Sequence, residues 1–409
     1  MKFAAFFHNG LTLLHPEGLP IDKDIFPLSY TAIGKIPNFD HPPLDADYPF
    51  SHSLHHMLHD RLLLIDELPF SLELLYHHYL HGYIGFMKSV VFQDGTYQCQ
   101  RCGNQKQHQF AQIDCARCGD LCTYCRKCIM MGRASECNPL VYWRGSPWQT
   151  PVSYDCLLQW NGTLSPEQSR ASERVIEAII KRKRLLVWAV CGSGKTEILY
   201  RGIEAALTRQ LRVCIATPRT DVVLELAPRL NNAFPNVPIL ALYSGSPRTA
   251  LDSPLVISTT HQLLRFLHAF DVIIIDEVDA FPYSYDSMLE FAVQRAQKQD
   301  AAQIFLTATP SNEMKKEVAS GRLLVEKIPV RYHRHPLPVP RFVWAGNWEK
   351  QLRKRKLPSV VMKWLNERKA ENKQCLLFVP TVEIAIQMEH LLSSHFQISS
   401  VYAEDPERK

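Results

Sequence analysis

Long apolar runs are absent from this chain of 409 residues: none approaches the roughly eighteen consecutive apolar residues that a membrane-crossing helix requires. The first residues also lack the basic, then apolar, then small pattern of a secretory leader, so the chain is expected to be cytoplasmic. Charge of one sign is in no large excess either. A formal net charge of +5, with 21% charged and 46% hydrophobic residues, describes a folded rather than a disordered chain. The basic residues are unevenly spread: residues 96–150 hold seven Lys/Arg against three Asp/Glu, and residues 331–373 hold twelve against three. These two stretches are the candidate polyanion contacts, with solvated basic faces as the plainer alternative. The length suits two or three domains, each with its own core.

A disulfide framework is excluded by the expected compartment, where glutathione and thioredoxin keep thiols reduced. Twelve cysteines then need another explanation, and seven of them fall between positions 99 and 128, as Cys99-x-x-Cys102, Cys115-x-x-Cys118 and Cys122-x-x-Cys125-x-x-Cys128. Paired C-x-x-C turns present two sulfurs each to one Zn²⁺ in tetrahedral coordination. Cys99 and Cys102 can close with Cys115 and Cys118 or with Cys125 and Cys128. The second choice is favoured, because both pairs lie in similar basic settings, and a further ion on Cys115, Cys118 and Cys122 stays open. A closed all-thiolate site organises a fold and does not activate water. Arg101, Arg117, Arg126, Lys127 and Arg133, with Tyr97, Tyr124 and Tyr142, would give this module phosphate charges and stacking rings.

Nucleotide chemistry is written further along. Cys191-Gly192-Ser193-Gly194-Lys195-Thr196 follows the apolar run of residues 185–190, the strand-then-glycine-loop order that turns backbone N–H groups toward phosphates. Gly192 and Gly194 permit backbone angles that other residues resist. Lys195 is placed to reach the β- and γ-phosphates of ATP, and Thr196 to hold Mg²⁺. The usual first glycine of such a loop is missing, since Ala189 stands there. A second motif compensates: Ile273-Ile274-Ile275-Asp276-Glu277-Val278-Asp279 ends a buried-strand run in carboxylates, with Asp276 placed to hold Mg²⁺ and Glu277 to polarise the attacking water. Metal-dependent nuclease chemistry would use the same carboxylates but leaves the phosphate loop unexplained.

Five regions are expected. Residues 1–95 form an N-terminal helical region, with two helices broken near Pro69; residues 96–140 the zinc module; and residues 141–160 a linker marked by Pro147 and Pro151. Ten of the seventeen histidines lie in the first region, and those from His55 to His81 read as polar helix faces because no acid-bearing metal pattern accompanies them. Residues 161–330 alternate short apolar strands with amphipathic helices. That pattern implies an α/β fold, a doubly wound parallel sheet with ligands at the strands' carboxyl ends. Ser165 and Pro166 signal a helix start, placing Gln168 one helix ahead of the phosphate loop. Residues 331–409 hold a Pro-rich connector and an apolar stretch at 374–381 with a helix behind it.

The ordered set of motifs resembles superfamily 2 helicases, whose motor is RecA-like. The resemblance implies that Gln168 reads adenine. It also makes Thr217-Pro218-Arg219 a strand-contacting motif through Arg219, gives Thr259-Thr260-His261-Gln262 the same role through Thr260, and makes Thr307-Ala308-Thr309-Pro310 couple nucleotide state to nucleic-acid contact through Thr309. The order of a zinc module ahead of such a motor, with Gln100-Arg101-Cys102-Gly103-Asn104, Tyr124-Cys125-Arg126-Lys127-Cys128-Ile129 and Met131-Gly132-Arg133, resembles the ComFA family of Gram-positive bacteria. Its motor is similar to that of PriA primosomal helicases. Such a resemblance implies an ATP hydrolase that binds single-stranded DNA and acts in competence, drawing DNA inward for genetic transformation at the inner face of the membrane. Its implied partners are late competence proteins and a membrane DNA channel.

One family feature is lacking. Residues 374–381 resemble the opening of a second RecA-like lobe, but no Gln-x-x-Gly-Arg-x-Gly-Arg pattern, the source of arginine fingers, occurs. The chain is therefore expected to hold nucleotide and DNA better than it turns ATP over. The alternative to a translocase is a DNA- and partner-binding module that hydrolyses poorly.

Overall fold

The computed structural model describes residues 1–20, 29–147, 157–246 and 253–402, arranged as one unit over residues 1–336 and a second over residues 337–402.

The first unit opens with a hairpin of β1 (Phe3–His8) and β2 (Leu11–Pro16). Helix α1 (His52–Leu58) leads to β3 (Leu62–Leu64), a 3₁₀ turn at Ile65–Glu67, α2 (Leu72–Leu80) and β4 (Ile84–Met87). Two further hairpins follow, β5 (Val90–Gln93) with β6 (Thr96–Cys99), and β7 (Phe110–Asp114) with β8 (Leu121–Cys125). Strand β9 (Leu140–Trp143) then returns between β3 and β4, antiparallel to both.

That return corrects two expectations. The first ninety or so residues are mixed α and β, not helical, since residues 61–69 are strand and 3₁₀ turn. The start of the expected 141–160 linker belongs to the central strand of a three-stranded sheet, with Leu140 and Val141 fully buried; residues 148–156 of that linker lie outside the described residues. The cysteine tract is thus an insertion between β4 and β9. The histidines are not uniformly polar surface either: His78 is buried, donating through Nδ1 to Leu74 O at 2.8 Å and accepting at Nε2 from the Ser51 amide, also at 2.8 Å.

The parallel-sheet lobe, called the motor lobe below after the helicases its motifs resemble, begins with α3 (Pro166–Ile180) and continues through β10 (Arg184–Ala189), α4 (Lys195–Leu207), β11 (Val213–Thr217), α5 (Thr220–Ala233), β12 (Ile239–Leu242), β13 (Leu255–Thr259), β14 (Phe270–Ile275), α6 (Ser287–Ala296), β15 (Gln297–Thr307), α7 (Asn312–Ala319) and β16 (Leu324–Ile328). The seven strands form one parallel sheet in the order β12-β13-β11-β14-β15-β10-β16. Every residue of β11, β13 and β14 is buried, as continuous apolar runs demand when helices cover both faces of a parallel sheet. Each such Val, Leu or Ile contributes roughly 1.5–3 kcal/mol through burial. The chain leaves β10, crosses over β15 and β14, and resumes at β11. The carboxyl ends of β10 and β14 consequently flank that of β15, at the point where an open α/β sheet places its ligand.

The second unit holds α8 (Trp348–Arg353), α9 (Ser359–Ala370) and α10 (Val382–Leu392), with Leu352, Leu365 and Leu392 buried among them. Residues 374–381, read as the opening strand of a second lobe, pair with no strand among the described residues, and Leu376 and Phe378 are exposed. A parallel strand needs a neighbour on its sheet, and the described residues of this unit present none.

Candidate nucleotide site and cysteine clusters

Ala189, the departure from the usual phosphate loop, is still part of β10, buried and registered against Ile328 of β16. Extended backbone needs no glycine, so alanine serves there without strain. The left-handed angles come later, at Gly192 (φ 76°) and Gly194 (φ 72°). Gly194 is the N-cap of α4, whose first residue is Lys195, so the free amides and positive dipole end of a 13-residue helix face the loop.

Gln168 reinforces this arrangement. Ser165 and Gln168 form a capping box at the start of α3, with Gln168 Oε1 accepting from the Ser165 amide at 2.8 Å. Its Nε2 donates to Ser193 O at 2.8 Å. The residue expected to read adenine thus also braces the phosphate loop, and each of its amide atoms retains a second bonding capacity. A Cβ on Gly194 would collide with Gln168 Nε2.

Across the sheet, the Asp276 amide donates to Ala216 O at 2.8 Å. Burial pushes the Asp276 carboxyl above its ordinary range, and the Lys195 charge draws it partly back. Glu277 has φ 53° and donates its amide to Asp276 Oδ1 at 3.0 Å. Thr307, the last residue of β15, and Thr309, just past it, both donate hydroxyl hydrogen bonds to Asp279. Burial raises the Asp279 carboxyl, but those two bonds, together with its own backbone N–H and the Lys195 charge, outweigh it and hold the group below the usual value. One cavity of about 650 Å³ is lined by Gln168, Gly192, Gly194, Lys195, Thr196, Asp276 and Glu277, together with Trp160, Arg229, Tyr332 and His333. The last four carry no sequence signal of their own. Tyr332 arrives because its amide donates to Gly192 O at 3.0 Å.

The expected strand-contacting residues are less uniform. Arg219 is half-exposed, paired to Asp221, with Nη1 3.9 Å from Glu277 Oε2. Thr309 is exposed and bound to Asp279. Thr260 is fully buried at the head of the 3₁₀ segment Thr260–Arg265, so its side chain does not face solvent.

In the cysteine tract, Cys99, Cys102, Cys125 and Cys128 are buried with their sulfurs all within 4.8 Å of one another. Cys99 and Cys128 lie 3.9 Å apart and Cys102 and Cys125 3.7 Å apart. Zinc–sulfur bonds of about 2.3 Å in a tetrahedron give a sulfur–sulfur edge of about 3.8 Å, so the donor set fits Zn²⁺. Asn104 Nδ2 donates to Cys125 Sγ at 3.6 Å. These thiols share one core with Leu263, Phe266, Met288 and Ala292 of the motor lobe.

Two expected phosphate contacts are corrected here, because carboxylates of this chain already hold them. Arg101 is fully buried, with Nη2 donating to Glu67 Oε2 at 2.9 Å. Arg117 is paired to Asp66. Glu67 also accepts from Arg265 Nε at 2.7 Å, and Arg295 Nη1 donates to Gln100 O at 2.8 Å, so the 99–102 turn is fastened to the motor from two sides. Burial lowers the Arg295 guanidinium to about 10. Lys127 pairs with Asp286 at 3.1 Å; Arg126 and Arg133 are exposed. Of the rings, Tyr142 lies half-buried against Gly85 in the β4–β9 pairing.

Comparison with known proteins matches residues 45–142 to the Competence protein ComFA N-terminal domain and residues 161–312 to the Type III restriction enzyme, res subunit. The Competence protein ComFA of Bacillus subtilis (strain 168) is 48% identical over 371 residues, 90% of this chain and 79% of that protein. The Competence protein ComFA of Streptococcus pneumoniae (strain ATCC BAA-255 / R6) is 37% identical over 273 residues, 67% of this chain and 62% of that protein. Among solved structures, the chain is similar to S. cerevisiae Dbp5 bound to RNA and ADP BeF3, at 13% identity and TM-score 0.41, covering 57% of this chain and 66% of that chain.

Proposed function

The chain belongs to the ComFA family of competence proteins, and from that premise we propose that it is an ATP-dependent motor on single-stranded DNA, acting in DNA uptake during transformation. One observation carries the reading: the glycine loop with Lys195 and the Asp276-Glu277 pair line a single cavity at the carboxyl ends of β10 and β14, the two strands that flank β15.

In this reading the loop amides and the α4 N-terminus hold the β- and γ-phosphates, and Lys195 neutralises their charge. Thr196 and Asp276 would hold Mg²⁺, which supplies charge neutralisation on the phosphate oxygens. Glu277 orients the attacking water and accepts its proton. Its backbone N–H donates to Asp276 Oδ1 and so orients the Asp276 carboxylate. Asp279, held by Thr307 and Thr309, links that reaction to a segment whose exposed end contacts DNA phosphate, and the half-exposed Arg219 offers a second phosphate contact. Cys99, Cys102, Cys125 and Cys128 would hold a structural Zn²⁺ that keeps the 99–102 turn on the motor. Late competence proteins and a membrane DNA channel are the partners consistent with the family, and no helix among the described residues is long and apolar enough to cross a membrane.

ATP turnover measured with and without single-stranded DNA tests the proposal. Stimulation by the strand, reduced on the order of 10² or more in Lys195→Ala, supports it. Nucleotide and strand binding without stimulated turnover supports the binding-module reading instead, and failure to retain any adenine nucleotide defeats both.

A further inference from the structure

The three cysteines left over from the first cluster are joined by one that no spacing motif marks. Cys115, Cys118, Cys122 and Cys137 are all buried, with sulfurs within 4.8 Å of one another and Cys115 and Cys137 3.7 Å apart. That separation again matches the roughly 3.8 Å edge of a four-thiolate zinc tetrahedron. Strand geometry explains the sorting. Cys122 and Cys125 lie three residues apart on β8, so they project to opposite faces and cannot serve one ion.

The turn carrying the first pair of this set repeats the turn of the first site. Cys99-Gln100-Arg101-Cys102-Gly103-Asn104 and Cys115-Ala116-Arg117-Cys118-Gly119-Asp120 share one pattern. In the first, Gly103 (φ 71°) donates to Cys99 O at 2.9 Å and Cys99 N donates to Asn104 O at 2.9 Å. In the second, Gly119 (φ 66°) donates to Cys115 O at 2.7 Å and Cys115 N donates to Asp120 O at 3.1 Å. Even the arginines correspond, Arg101 gripping Glu67 and Arg117 gripping the adjacent Asp66.

We propose that Cys115, Cys118, Cys122 and Cys137 bind a second zinc ion, in a closed four-thiolate site independent of the first. Its surroundings are not the motor core but Ala32 and Ile113. The turn it closes receives the N-terminal ammonium, which donates to Arg117 O at 2.7 Å, and Lys2, which pairs with Asp120 at 3.2 Å. The second ion therefore fastens the start of the chain and Asp66, whereas the first fastens the motor.

Zinc per full-length chain, measured by mass spectrometry after exhaustive dialysis, tests this directly. Two ions are expected in the unaltered protein, and one each in Cys137→Ser and in Cys128→Ser. Cobalt alone, titrated into the zinc-free full chain, is expected to build tetrahedral thiolate absorption through two equivalents, a readout that needs no variant to fold. One zinc per folded chain, saturation at one cobalt equivalent, or a folded Cys137→Ser that keeps the full zinc count overturns the proposal.

Discussion

Replacing Glu67 by alanine removes the carboxylate on which two domains meet. Glu67 accepts from Arg101 at 2.9 Å, from Arg265 at 2.7 Å and from the Leu64 amide at 3.0 Å, while the Arg101 side chain has 0% exposure. Breaking a buried pair by deleting one partner leaves an uncompensated charge and costs about 3–5 kcal/mol. The neighbouring pair provides the internal control. Arg117 and Asp66 are 32% and 43% exposed, so Asp66→Ala forfeits an interaction worth about 0–1 kcal/mol. Thermal unfolding of the full chain, followed by fluorescence at fixed zinc, is expected to show a fall of roughly 4–7 °C for Glu67→Ala and of about 1 °C or less for Asp66→Ala. Adding Arg101→Met to Glu67→Ala should recover part of the loss, because the stranded guanidinium is then gone. A Glu67→Ala protein within about 1 kcal/mol of the unaltered one would refute the claim that this carboxylate is a buried junction.

Gly194→Ala is expected to weaken nucleotide binding on the order of tenfold or more, since its φ of 72° is unfavourable for alanine by about 1–2 kcal/mol and its Cβ pushes Gln168 off Ser193. Gly95→Ala, at φ 77° with open space around it, carries the backbone term alone and should leave nucleotide titrations unchanged. Acid should expose His59, which is 2% exposed and whose pKa burial lowers from 6.5 to about 3. The unfolded chain binds that proton first, so stability falls as pH drops below about 6.5, by about 2 kcal/mol between pH 7 and pH 5. Denaturant midpoints at those two pH values, compared with His59→Phe, check it; equal pH slopes would remove His59 from the account.

What the sequence made legible followed from short-range chemistry. The glycine loop, the carboxylate-tipped strand and the capping signal at Ser165 each depend on neighbours a few residues away, and each lies where such spacing implies. The parallel sheet was readable for a related reason, because strands buried on both faces are apolar throughout. Strands β12 and β16 escaped notice as edge strands, since half-exposed runs such as Leu324–Ile328 carry no such signature. Misreadings arose where a contact spans the inserted tract. Leu62–Leu64 looks helical by composition and becomes a strand only because Leu140–Trp143 returns beside it.

Basic residues misled for the same reason. Arg101 and Arg117 are indistinguishable from solvent-facing phosphate contacts until Asp66 and Glu67, more than thirty positions earlier, are seen beside them. Cys137 shows the limit most clearly: lacking a C-x-x-C partner, it enters a ligand set only through the fold. Spacing alone leaves Cys122, Cys125 and Cys128 in one run; the expected separation of Cys122 from Cys125 and Cys128 has its physical cause in the alternation of side chains along β8, which divides that run between two faces. Where one strand serves two clusters, strand periodicity overrides motif spacing, and the arginine inside each repeated turn then fixes which neighbouring carboxylate each cluster holds.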